Sequence, residues 1–137
     1  NGLGNLVAHT FTLAEKFGSS WKENKIDGEV QKKIDFLKGQ IIKAVEQFKF
    51  HDALILIWEL IAFGNNYLQE KKPWAPDAPD ASRVVFSVVV LLDNISALLA
   101  PFLPFSSQKI TESIIWDNTG VLQTKKPGIL FPRKDTV

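Results

Sequence analysis

The sequence predicts an all-α protein, a bundle of about five helices with an irregular C-terminal tail. Three observations lead there. Apolar residues recur at spacings of three and four along most of the chain, clusters of Gly, Ser, Pro and Asp interrupt that pattern, and the one β-branched run is too long to be a strand.

Each helix follows from its own stretch. At about 100° per residue, Leu3, Leu6, Val7, Leu13, Ala14 and Phe17 share one broad apolar face, and Gly18-Ser19-Ser20 end that helix. Asn1, Asn5, His9, Thr12 and Lys16 take the opposite side. A second helix starts after Asp27-Gly28, with Val30, Ile34, Leu37, Ile41, Val45 and Phe48 as its stripe and lysines on its other face. The third occupies "HDALILIWELIAFGNNYLQEKKPW". Asp52 suits its start, Ala53, Ile57, Leu60, Gly64 and Leu68 trace its buried side, Lys71 and Lys72 suit its negative end, and Pro73 stops it.

After the connector "APDAPDAS", in which Asp80 or Ser82 is the expected cap, comes "VVFSVVVLLDNISALLAPFLPF". Val84 to Leu92 alone reads as a strand, but the apolar pattern runs on to Leu99, so a central buried helix ended by Pro101 and Pro104 is expected. Asp93 and Asn94 interrupt it too early for a membrane span of about 20 residues, and no membrane partner is expected. Ser106 or Ser107 should cap a fifth helix through Trp116, and residues 117–137 should be irregular. Residues 1–137 make a single domain in this reading.

Composition narrows the function. There are no cysteines and only His9 and His51, so no metal centre is expected. The net charge of +1 lacks the basic excess of a protein that grips nucleic acid through phosphates, and DNA is not an expected partner. The first ten residues have neither the basic start nor the apolar run of a signal peptide. Methionine is absent even at position 1, which suggests an internal segment of a longer protein. No phosphate-cradling glycine loop, nucleophile elbow or histidine–carboxylate metal spacing occurs, and no catalytic residue is assigned.

Two features stand apart. Asn1, Asn5 and His9 form a polar row that is either plain surface or a set of hydrogen-bonding groups, since asparagine carries both donor and acceptor. Trp74 lies at a helix end, either as a plug folded onto the bundle or as an exposed ring on which an unstacked base could lie. Trp21, Trp58 and Trp116 are assigned to packing.

"LGNLV" at Leu3–Val7, "YLQEKKPW" at Tyr67–Trp74, "LLAPFLPFSSQKI" at Leu98–Ile110 and "LFPR" at Leu130–Arg133 together resemble the α-helical anticodon-binding domain of class I methionyl-tRNA synthetases. The resemblance spans essentially the whole chain. "APFLPF" also has cousins in the synthetases for leucine, isoleucine, valine and cysteine, while the Pro-Trp element with "LFPR" favours methionine.

The resemblance implies that Asn1, Asn5, His9 and Trp74 read the CAU anticodon loop of methionine tRNA, with Pro73 shaping the turn. His9 departs from the arginine common in the family, a permanent cation with a planar fork of donors. The resemblance further implies a Rossmann-type catalytic domain upstream, a partner of this one, which binds ATP with magnesium and joins methionine to its tRNA in the cytoplasm. This segment then supplies recognition and no catalysis, and it holds no cofactor itself. The competing readings are the equivalent domain of another class I synthetase and a non-enzymatic helical interaction module.

Overall fold

A computed structural model describes residues 2–21, 25–116 and 122–125. Its elements run α1 (Gly2–Lys16), β1 (Ser20–Trp21), α2 (Gly28–Glu46), α3 (Phe50–Lys71), α4 (Ala81–Leu99), α5 (Pro104–Ser113), β2 (Ile114–Trp116) and β3 (Leu122–Thr124). The five-helix all-α bundle is as expected; the strands are an addition to it.

α4 is the axis of the bundle and touches each of the other four helices. Val84, Val85, Val88, Val89, Leu91, Leu92, Ile95 and Leu99 are all buried, so the β-branched run is helical because it is surrounded on nearly every side. By length and composition α4 could cross a membrane; here most of it is core. The stripes on the other helices point inward as spaced: Leu3, Leu6, Val7, Leu13 and Ala14 on α1, Val30, Ile34, Leu37 and Ile41 on α2, and Ala53, Ile57, Leu60 and Leu68 on α3.

Gly64 sets how closely the helices approach. A Cβ there would stand 2.9 Å from Leu91 Cδ2 and 3.0 and 3.1 Å from the two Leu6 methyls, so α1 and α4 both close onto α3 at this one residue.

Several expectations need correction. Phe48 is 79% exposed, because α2 ends at Glu46 and a positive φ at Phe48 swings its ring out of the helical phase. Ala44 closes that buried stripe instead. Pro104, with its preset φ and missing N–H, takes the first position of α5, so Ser106 and Ser107 fall inside the first turn and do not cap it. Ser107 Oγ donates to the Ser96 carbonyl at 2.7 Å and Ser96 Oγ to the Ser107 carbonyl at 2.8 Å, a reciprocal clamp between α4 and α5. Asp80 does stand at the N-cap of α4, but in the left-handed region and without a side-chain bond, and Ser82 Oγ accepts from Trp21 Nε1.

The fifth helix stops at Ser113 and not at Trp116, and the segment expected to be irregular contains β3. The sheet has the order β1-β3-β2 and is antiparallel, with Trp21 paired to Leu122 and Ile114 to Thr124. It ties the chain after α1 to the chain after α5. Strands of two and three residues are too short to show a period, and so escaped the sequence reading. The other residues of 117–137, including "LFPR", lie outside the described residues.

Trp58 and Trp116, assigned to packing, are 47% and 48% exposed, and only Trp21, at 3%, is a core ring. Trp58 is 100° around the helix from the buried Ile57, so phase overrides its aromatic character.

Asp27 anchors three helices. Its Oδ1 accepts from the Glu29 N–H at 3.0 Å, capping α2, its Oδ2 accepts from the Tyr67 hydroxyl at 2.7 Å, and its own N–H donates to Ser87 Oγ at 2.8 Å. The Tyr67 hydroxyl holds the Asp27 carboxyl below the usual range against the opposing effect of partial burial, helped by the Glu29 N–H and the charges of Lys71 and Arg83. A lowered carboxyl contributes stability above its unfolded value, near about 3.9, and loses it as pH falls through the folded value. Tyr67→Phe should therefore cost about 1.5 kcal/mol at pH 7 in urea unfolding. The gap to wild type should narrow below about pH 4. An unchanged gap at acid pH would show that the bond is not coupled to the carboxylate charge.

Candidate nucleic-acid interface

α1 and α3 lie side by side and run in the same direction. Gly2 sits against Ile61 and Asn65, Leu6 against Gly64, and the far end of α1 faces Gln69 and Trp74. Asn65 Nδ2 donates to the Gly2 carbonyl at 2.9 Å, which pins the start of α1 to α3 and sets the height of every later α1 residue.

The Trp74 element is built by the end of α3. Lys72 adopts a left-handed conformation and its N–H bonds the Leu68 carbonyl at 2.9 Å, closing the helix. The Ala75 N–H then bonds the Lys72 carbonyl at 3.0 Å, a tight turn with Pro73 in the position its fixed φ favours. Pro73 is buried under this turn, and Trp74 is lifted outward, 43% exposed. A second turn, closed by Ala78 N–H to the Ala75 carbonyl at 3.1 Å, leads away towards α4.

Trp74 thus becomes one wall of a groove of about 400 Å³, whose other residues are Ala8, His9, Thr12, Leu13, Lys16 and Gln69. His9, Thr12, Lys16 and Gln69 line the space beside the indole, and none of the lining residues is acidic. An aromatic face with donors and acceptors around it and a cation at the edge suits a splayed nucleobase near its phosphate.

Of the residues singled out from the sequence, the structure brings His9 and Trp74 together across 65 positions of chain. Asn5 is exposed on the same side of α1, one turn before His9, but does not line the groove. Pro73 shapes the turn from beneath. Asn1 lies outside the described residues. Gln69 was not foreseen. It is an exposed polar residue on α3, and only the packing of α1 on α3 turns it towards His9. Thr12 and Lys16 had been placed on the polar side of α1, and both line the groove.

Among the described residues no three His, Asp or Glu side chains gather as a metal would need.

Residues 27–130 match the family model described as the anticodon-binding domain of tRNA ligase. Curated relatives include Methionine--tRNA ligase of Bacillus cereus (strain 03BB102), 36% identical, covering 96% of this chain and 26% of the relative. Those of Bacillus mycoides (strain KBAB4) and Bacillus anthracis (strain A0248) are each 35% identical with the same coverage. The chain spans about a quarter of the length of these relatives. α1, which carries Asn5 and His9, precedes the stretch matched by the family model.

Proposed function

This chain belongs to the anticodon-binding domains of tRNA ligases, and from that premise we propose that it reads the CAU anticodon of methionine tRNA within a longer methionine–tRNA ligase. The observation that carries the reading is the groove in which Trp74 faces His9, Thr12, Lys16 and Gln69. In this reading Trp74 stacks on an anticodon base, His9 and Asn5 hydrogen-bond base edges or the adjoining backbone, and Pro73 holds the ring at its angle. The same role is proposed for Asn1 on the family resemblance alone. Recognition of a few splayed bases requires little phosphate contact, which accords with a net charge of +1.

The relatives' name supports a methionine-specific ligase as the whole protein, in which a separate Rossmann-type catalytic domain binds ATP with magnesium and joins methionine to its tRNA. This domain contributes recognition only, and we place the protein in the cytoplasm, where its tRNA is charged. The test is affinity of the full-length protein for a panel of tRNAs. Preference for the methionine acceptor is expected, and stronger binding of the leucine, isoleucine, valine or cysteine acceptors would assign the domain to another synthetase. Failure to bind any tRNA would leave a protein-interaction module.

His9 gives a sharper prediction. Arginine there would be a permanent cation with a planar fork of donors. His9→Arg should bind methionine tRNA at least as tightly as wild type at fixed salt. Equal affinities for wild type, His9→Arg and His9→Gln would remove His9 from the interface.

A further inference from the structure

Trp74 stands on a connector that is strained at both ends. Residues 72–80 join α3 to α4, and the residue at each end, Lys72 with φ 45° and Asp80 with φ 51°, sits in the left-handed region without being glycine. A Cβ crowds the following carbonyl there, so such a residue keeps that conformation only while the surrounding structure imposes it. The turns closed at Ala75 and Ala78 bond within the connector. Among the described residues, its hydrogen bonds to the helices lie at its two ends, from the Lys72 N–H to the Leu68 carbonyl and from the Val84 N–H to the Asp80 carbonyl. The placement of the ring therefore depends on how the end of α3 and the start of α4 are held.

One residue reaches both. Tyr67, buried near the end of α3, donates to Asp27 Oδ2 at 2.7 Å, and Ser87 Oγ on α4 accepts from the Asp27 N–H at 2.8 Å. Ser87 Oγ in turn donates to the Arg83 carbonyl at 2.7 Å, in the first turn of α4. We infer that Asp27 is a positioning residue for Trp74: through Tyr67 and Ser87 it bridges the two helices that flank the connector, and so fixes the ring that shares a groove with His9. The consequence for tRNA rests on the anticodon reading; the placement of the ring does not.

The test uses the full-length protein labelled with 5-fluorotryptophan, its fluorine resonances assigned by Trp74→Phe and Trp58→Phe. In Tyr67→Phe without tRNA, the Trp74 resonance should shift or broaden while that of Trp58, earlier on α3, stays in place. Ser87→Ala cuts the other arm and should move the same resonance. Asp27→Ala should move it too, and Asp27→Asn, which keeps an amide oxygen as acceptor, should restore part of the change. Affinity for methionine tRNA, measured well below each variant's melting temperature, should fall roughly three- to tenfold in Tyr67→Phe, the lower part of the range for residues coupled through one network. In a Trp74→Ala background the same substitution should cost nothing further. An unmoved Trp74 resonance in Tyr67→Phe would overturn the inference, as would movement of both resonances together. So would an equal loss of affinity in both backgrounds, the mark of general loosening. Wild-type affinity in Trp74→Ala, with the Trp74 resonance displaced by Tyr67→Phe, would instead sink the anticodon reading and leave the placement of the ring by Asp27 intact.

Discussion

On the proposed anticodon reading, Trp74→Ala in the full-length protein should weaken binding of methionine tRNA by about 1–3 kcal/mol, the range for loss of one stacked base. That is roughly 5- to 150-fold in affinity. The thermal midpoint should hardly move. The ring is 43% exposed and stands on a turn whose geometry comes from Lys72, Pro73 and the Ala75–Lys72 bond, none of which the substitution removes. Trp74→Phe keeps an aromatic face and should recover much of the affinity. A drop in melting temperature as large as that from Trp21→Ala, with tRNA charging intact, would mean that Trp74 only plugs the bundle.

The largest loss of stability should come from Trp21→Ala, about 3–5 kcal/mol in urea unfolding, as for other buried tryptophans. Trp21 is 3% exposed, lies 6.3 Å from the Phe86 ring, and donates to Ser82 Oγ at 3.2 Å. Its strand also pairs with β3, so the cavity would open between α4 and the sheet. Trp58→Ala has no comparable effect on the contacts seen here, since half of that ring faces outward. Near-wild-type stability of Trp21→Ala would contradict its place in the core.

Helix phase and residue type proved unequal guides. The stripe Ala53, Ile57, Leu60, Gly64 and Leu68 is buried throughout, and Trp58 never belonged to it by angle; its size and apolarity suggested a core that its phase denied. Phe48 shows the opposite limit. It fits the spacing of α2, but the helix has already ended and a positive φ cancels the phase. Serines 106 and 107 looked like caps until Pro104 took the first helical position, which moved both into the contact with Ser96.

By itself the sequence determined the five helices, their buried faces and the polar row on the first of them. Those depend on local periodicity and on Gly and Pro breaks, which act within a few residues. The motif resemblance named candidate residues without saying how they meet. Only the tertiary structure decided that the end of α1 faces the end of α3, because contacts such as Leu6 with Gly64 and Gly2 with Asn65 join residues some sixty positions apart, where no local pattern reaches. That packing put His9 and Trp74 into one groove, drew in Gln69, and kept Asn5 just outside it. It also produced the small sheet, whose strands exist because the chain after α5 returns beside the chain after α1, and not because two or three residues prefer to be extended.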